Sequence, residues 1–182
     1  MPNTLTVVRI LLTPLLIIFL LREWYIPALV VFTIAGVSDG LDGFLARYFN
    51  QRTALGAYLD PIADKLLLMA AYTTLAVLEC LPNWLAVVVI SRDVIIGLGM
   101  VTCSITNAKV EINPSKVSKL TTVIQLLTIF ITLLDPHIAV AHSWKYYLYW
   151  ITVAVTILSG LDYIYKGLHI LQDSLGHNQN SK

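Results

Sequence analysis

Residues 39–64 contain Asp39-Gly40-Leu41-Asp42-Gly43-Phe44-Leu45-Ala46-Arg47 and, eight residues later, Gly56-Ala57-Tyr58-Leu59-Asp60-Pro61-Ile62-Ala63-Asp64. Four aspartates thus stand inside or at the head of two otherwise apolar runs. An ionised carboxylate at bilayer depth costs roughly 3 kcal/mol or more unless something neutralises it. Four close together also repel one another. Arg47 and Lys65 cannot offset four negative charges, whereas divalent cations can. Oxygen-only ligation suits a hard ion, Mg²⁺ or Mn²⁺, and two such ions balance four carboxylates. No His or Cys stands near the cluster, which argues against zinc.

The rest of the chain sets the surroundings of these acids. Of 182 residues, 57% are hydrophobic and 13% charged, against about 25% charged in an average soluble domain. Six apolar stretches run over about 5–21, 27–49, 55–78, 84–107, 115–134 and 145–166. Each is long enough, at about 20 residues per crossing, to span a hydrocarbon core of about 30 Å. The expectation is an all-α integral membrane bundle of six transmembrane helices, residues 1–171, with a disordered polar tail over 172–182. Arg22-Glu23-Trp24 follows the first stretch in place of a cleavage site, so that stretch reads as a retained helix. The formal net charge of +1 offers no basic surplus, and no nucleic-acid partner is expected.

Basic residues near helix ends orient the bundle. Arg47, Arg52, Lys109, Lys116, Lys119, Lys166 and Lys182 fall on one side, and Arg22 and Lys145 on the other. Both termini and the aspartates then face the cytoplasm. Trp24, Trp84 and Trp144 mark the opposite boundary, where an aromatic belt belongs.

On helices, Asp39 and Asp42 share a face with Gly43 and Ala46, and Asp60 and Asp64 share one with Gly56. Two helices joined by a short connection can aim the pairs at each other. Pro61 fits this best in the first turn of its helix, with Asp60 near the N-cap. Paired metals clamp transferring phosphoryl groups, so the site points to a substrate that is half lipid and half phosphate.

The spacing D-x-x-D-G-x-x-A-R, eight residues, G-x-x-x-D-x-x-x-D resembles, position for position, the signature of the CDP-alcohol phosphatidyltransferases. The opening Pro2-Asn3-Thr4-Leu5-Thr6-Val7-Val8-Arg9 looks like that family's amino-terminal segment, and the six-helix layout is similar to it. The resemblance implies transfer of a phosphatidyl group from CDP-diacylglycerol to an alcohol with release of CMP. It implies that Asp39, Asp42 and Asp60 bind metal, and that Asp64 both touches metal and deprotonates the acceptor hydroxyl. By the same resemblance, Gly43, Ala46, Arg47 and Gly56 line the nucleotide pocket, and the enzyme is a homodimer in a bacterial inner membrane.

The acceptor turns on three cations. Arg92, in Ser91-Arg92-Asp93, either grips an anionic acceptor or pairs with Asp93 or the aspartates. Lys116 and Lys119 open the fifth helix, where free N–H groups favour phosphate; positive-inside anchoring is the plainer reading. Together they favour a phosphate-bearing alcohol; sn-glycerol 3-phosphate fits, giving phosphatidylglycerol phosphate, and its frequency among small bacterial members of the family, rather than any one residue, puts it first. Arg92-Asp93 and the run Pro114 to Thr121 also look like eukaryotic-type cardiolipin synthases, whose acceptor is phosphatidylglycerol. A divalent-metal transporter and a membrane prenyltransferase fit less well. The first has no need of Gly43-x-x-Ala46-Arg47, and the second separates its acidic motifs widely.

Other features read plainly. Cys80 and Cys103 are packing residues, and Asp162 and Lys166 form a local pair. The histidines show no ligand spacing. Gly36, Gly40, Gly97 and Gly99 mark close helix packing, and Tyr146, Tyr147, Tyr149 and Trp150 belong to the interfacial belt.

Overall fold

The computed structural model describes residues 2–48, 54–105, 116–134 and 142–179, with side-chain surroundings over 7–38, 62–99, 117–134 and 144–165. Six helices follow in order: α1 Pro2–Leu21, α2 Tyr25–Tyr48, α3 Ala54–Val77, α4 Asn83–Ile105, α5 Lys116–Leu134 and α6 His142–Gln179. The expected elements are all present, and two boundaries differ. α3 begins at Ala54, so Pro61 lies well inside the helix and Asp60 is not an N-cap. Proline costs the helix one backbone hydrogen bond, yet α3 runs through it unbroken. α6 continues through the stretch expected to be a disordered tail as far as Gln179; no proline stands between Lys166 and Gln179 to stop it.

The turns that close α1 and α3 have the same construction. At α1, Glu23 donates to the Leu20 carbonyl at 2.8 Å and Trp24 to that of Phe19 at 2.9 Å. At α3, Glu79 donates to Ala76 at 3.1 Å and Cys80 to Leu75 at 2.9 Å. These are Schellman caps. Their left-handed residues are glutamates, Glu23 and Glu79, each at φ 58°.

α1 packs on α2 and α3, α2 on α5, α3 on α4 and α5, and both α4 and α5 on α6. Ala28, Val31, Phe32 and Ala35 give α2 its buried face, and Leu67, Leu68, Ala71, Tyr72 and Leu75 give α3 its own. The alanines bring backbones close. Gly99 does the same on α4, since a Cβ there would stand 2.6 Å from the Tyr163 hydroxyl of α6. Among the described residues, a Cβ on Gly36 would meet nothing within 4 Å.

Polarity is distributed opposite to that of a soluble protein. Leu11, Val77, Val87 and Leu98 are exposed, while Thr121, Gln125, Thr128, Thr152 and Thr156 are fully buried. The buried groups form a seam between α5 and α6. The Thr128 and Thr152 hydroxyls lie 2.7 Å apart, and Gln125 Nε2 donates to Thr156 Oγ1 at 3.2 Å. An apolar exterior with polar groups joining helices inside is the arrangement that lipid favours. Among the described residues, Val117–Leu134 and Trp144–Tyr165 are long and apolar enough to cross a membrane.

The two ends of the bundle differ. At one, the Tyr25 hydroxyl sits 3.6 Å from Cys80 Sγ, Tyr149 donates to the Cys80 carbonyl at 3.4 Å, and the Trp84 and Trp150 rings are 5.4 Å apart. Trp24, Trp84 and Trp144 are exposed at this end. Tyr146, Tyr147 and Trp150 share that setting, whereas Tyr149 is buried and serves the core rather than the belt. Arg22, Glu23 and Glu79 also lie at this end, whereas the ion pairs of Arg9 with Asp64 and of Arg92 with Asp93, and Lys65 near the second, lie at the other.

Candidate active site

The charged end is built on α3. Asp64 and Lys65 are consecutive there and so point about 100° apart. Asp64 turns to α1, where Arg9 Nη1 donates to its Oδ1. The Arg9 side chain is 3% exposed and that of Asp64 38%, so the cation is enclosed and the carboxylate keeps an open side. An arginine sealed in an apolar helix requires an anion, and this pairing supplies it. The sequence reading missed the partnership. Its signal was available: Arg9 is a lone charge within an apolar run.

Lys65 turns the other way, to α4, and its Nζ donates to the Asp93 carbonyl at 3.2 Å. Arg92, next to Asp93, is itself buried. Its Nη1 donates to Asp93 Oδ1 at 2.6 Å, and its Nη2 to Ser118 Oγ of α5 at 2.7 Å and Ser159 Oγ of α6 at 2.8 Å. Of the two readings open for Arg92, pairing with Asp93 is therefore realised, and one guanidinium ties three helices. Among the described residues, Arg92 Nε is buried without a partner. The polar triplet Ser91-Arg92-Asp93 interrupts only the apolar pattern, since α4 runs through it unbroken. Lys119 is exposed one residue after Ser118.

Asp39, Asp42, Gly43, Ala46 and Arg47 lie on α2, Gly56 and Asp60 on α3, and Lys116 at the start of α5. Their side chains lie outside the described residues, as does that of Lys166, the expected partner of Asp162. Helical backbone through both acidic motifs puts each pair on one helix face. Among the described residues, α2 and α3 each pack on α1 rather than on one another. α1 thus lies against both helices that carry the acidic motifs, a placement that the motifs alone did not indicate.

A family model described as CDP-alcohol phosphatidyltransferase matches residues 1–158. The chain belongs to this family. It is 33% identical to human cardiolipin synthase (CMP-forming) over 94% of this chain and 62% of that protein. It is 31% identical to CDP-diacylglycerol–glycerol-3-phosphate 3-phosphatidyltransferase of Bacillus subtilis over 96% of this chain and 98% of that one. A protein of the same name from Pseudomonas fluorescens is 43% identical over 53% of this chain and 52% of its own length. The chain thus spans less than two thirds of its human relative and nearly all of the Bacillus one.

Members of this family use a divalent metal. The residues present fit one: the motif offers carboxylate oxygens only, on two continuous helices, with Asp64 open on one side. Such a donor set suits a hard cation.

Proposed function

We propose that the chain transfers the phosphatidyl group of CDP-diacylglycerol to the hydroxyl of sn-glycerol 3-phosphate, forming phosphatidylglycerol phosphate and releasing CMP. The observation that carries this reading is the nearly end-to-end match to the Bacillus protein of that name.

In this reading Asp39, Asp42, Asp60 and Asp64 hold two Mg²⁺ or Mn²⁺ ions. When bound, the ions stabilise charge on the nonbridging and leaving oxygens. Asp64 accepts the proton of the acceptor hydroxyl. A carboxylate beside dications is a weak base, so the hydroxyl must already be held against it. Arg9 is a positioning residue that fixes the Asp64 carboxylate from the α1 side. Arg92, Lys116 and Lys119 hold the acceptor phosphate, while Gly43, Ala46, Arg47 and Gly56 line the nucleotide pocket. The six helices of residues 1–171 cross a bacterial inner membrane with the charged end facing the cytoplasm, and two copies form a homodimer.

Cardiolipin synthesis is the second reading, favoured by the match to the human synthase and by the paired Arg92-Asp93. Phosphatidylglycerol would then be the acceptor. Purified protein in detergent micelles with CDP-diacylglycerol and Mg²⁺ separates the two. Given sn-glycerol 3-phosphate, it should release one CMP per phosphatidylglycerol phosphate, identified by mass, and lose this activity in EDTA. Cardiolipin from phosphatidylglycerol, with no product from glycerol 3-phosphate, would establish the second reading. Turnover undiminished by chelation would remove the metal site.

A further inference from the structure

Arg9 is the only charged residue of α1. Its guanidinium stays protonated at any pH the protein meets. The side chain is 3% exposed, so water does little to screen it. Nη1 donates to Asp64 Oδ1, while the Asp64 side chain, 38% exposed, keeps an open side. α1 packs on both α2 and α3, the helices that carry the acidic motifs. A fixed positive charge is thus built into the helix that lies against both.

This charge acts on a divalent ion held by the motif in two ways. Asp64 Oδ1 already accepts a charge-assisted hydrogen bond, so part of its donor strength is engaged. The guanidinium also repels a dication bound to the same carboxylate, and its enclosure leaves that repulsion weakly screened. Counting the four motif carboxylates and Arg9, one dication leaves a single negative charge, whereas two leave a positive one. Arg47 and Lys65, on the motif helices themselves, carry charge of the same sign as Arg9. The last ion to bind therefore enters a site whose own negative charge no longer suffices. A diphosphate supplies what is missing, since its oxygens bring negative charge and hard ligands together.

We infer that Arg9 is a resident counter-ion of the metal centre: it lowers the affinity for the last divalent ion to bind, and so makes that ion's tight binding depend on the diphosphate of the donor. This rests on the metal-dependent transfer reading and gives Arg9 a task beyond holding Asp64 in place. Metal and donor then raise each other's affinity by the same factor. An ion pair that served packing alone would act with the opposite sign, since its loss would disorder Asp64 and loosen the metal.

The test counts bound Mn²⁺ by electron paramagnetic resonance, with the full chain in detergent micelles and no acceptor present. Wild type, Arg9→Met, Arg9→Gln and Arg9→Lys are compared, and thermal unfolding identifies the variants that keep the fold. In wild type, CDP-diacylglycerol should tighten binding of the last Mn²⁺ at least tenfold. Without donor, the Met and Gln variants should bind that ion at least tenfold more tightly than wild type, and the donor should add less than it does in wild type. Arg9→Lys keeps the charge and should behave as wild type. Turnover moves the other way: the Met and Gln variants should need less Mn²⁺ for half-maximal rate while kcat falls. Unchanged or weaker Mn²⁺ binding in a folded Met or Gln variant overturns the inference. So does the absence of a donor effect in wild type, a measurement that needs no variant. Wild type that binds no Mn²⁺ with or without donor would remove the metal site itself. Mn²⁺ binding as expected, with no CMP released once glycerol 3-phosphate or phosphatidylglycerol is added, would sink the transferase reading and leave the counter-ion standing.

Discussion

Arg9 lies almost wholly within the bundle, and its guanidinium meets a carboxylate 55 residues away. Removing one partner of an enclosed ion pair strands the other. Asp64 keeps part of its surface open, so the loss for Arg9→Met should be about 1–2 kcal/mol rather than the larger cost of a sealed pair. Asp64→Asn in the same chain removes the stranded charge and should recover most of that loss. Thermal unfolding of the two single variants and the double variant measures the coupling. Additive losses would mean that the two side chains do not support each other. Arg9→Met should also lower kcat at least tenfold, because the base loses its orientation. That the acids need cations was legible from their apolar surroundings. Which cation reaches Asp64 was not, because a lone arginine in one helix carries no record of which helix will lie beside it.

At the level of elements, the two left-handed caps are points of stored cost. A non-glycine residue at φ near +58° gives up about 1 kcal/mol relative to glycine. Glu79→Gly should therefore raise stability by about 1 kcal/mol, seen as a higher midpoint of thermal unfolding, and Glu23→Gly should act likewise. A lowered midpoint would show that the glutamate side chains contribute more than their backbones lose. The α5–α6 seam obeys the modest energetics of hydrogen bonds in lipid. Thr128→Val should cost about 0.6 kcal/mol. Adding Thr152→Val should cost little more, since the contact between the two hydroxyls is already lost. The sequence marked these helices clearly through their apolar runs. The seam was less apparent, because threonine is as compatible with a lipid-facing helix surface as with an interior one, and only the packing of α5 on α6 turns Thr128 toward Thr152.

For the molecule as a whole, the aromatic belt lies at one end and most of the basic residues near helix ends at the other, and this predicts topology. In a background with Cys80 and Cys103 replaced, a cysteine at Trp144 should react with an impermeant maleimide from outside intact cells. A cysteine at Lys119 should react only after the membrane is opened. The reverse pattern would invert the proposed orientation. Composition and the run lengths were enough to give an all-helical bundle, and the spacing of Asp39, Asp42, Asp60 and Asp64 was enough to carry the resemblance to the family that residues 1–158 match. Both are local properties: hydrophobic length is counted along the chain, and residues three or four apart share a helix face whatever surrounds them. The arrangement of cations around that chemistry required the assembled bundle. Arg9, Lys65 and Arg92 come from α1, α3 and α4, and Ser118 and Ser159 from α5 and α6, so their meeting depends on which helices pack together and with what rotation. No pattern within one helix encodes that, because it is settled by the fit of small and large side chains between helices distant in sequence.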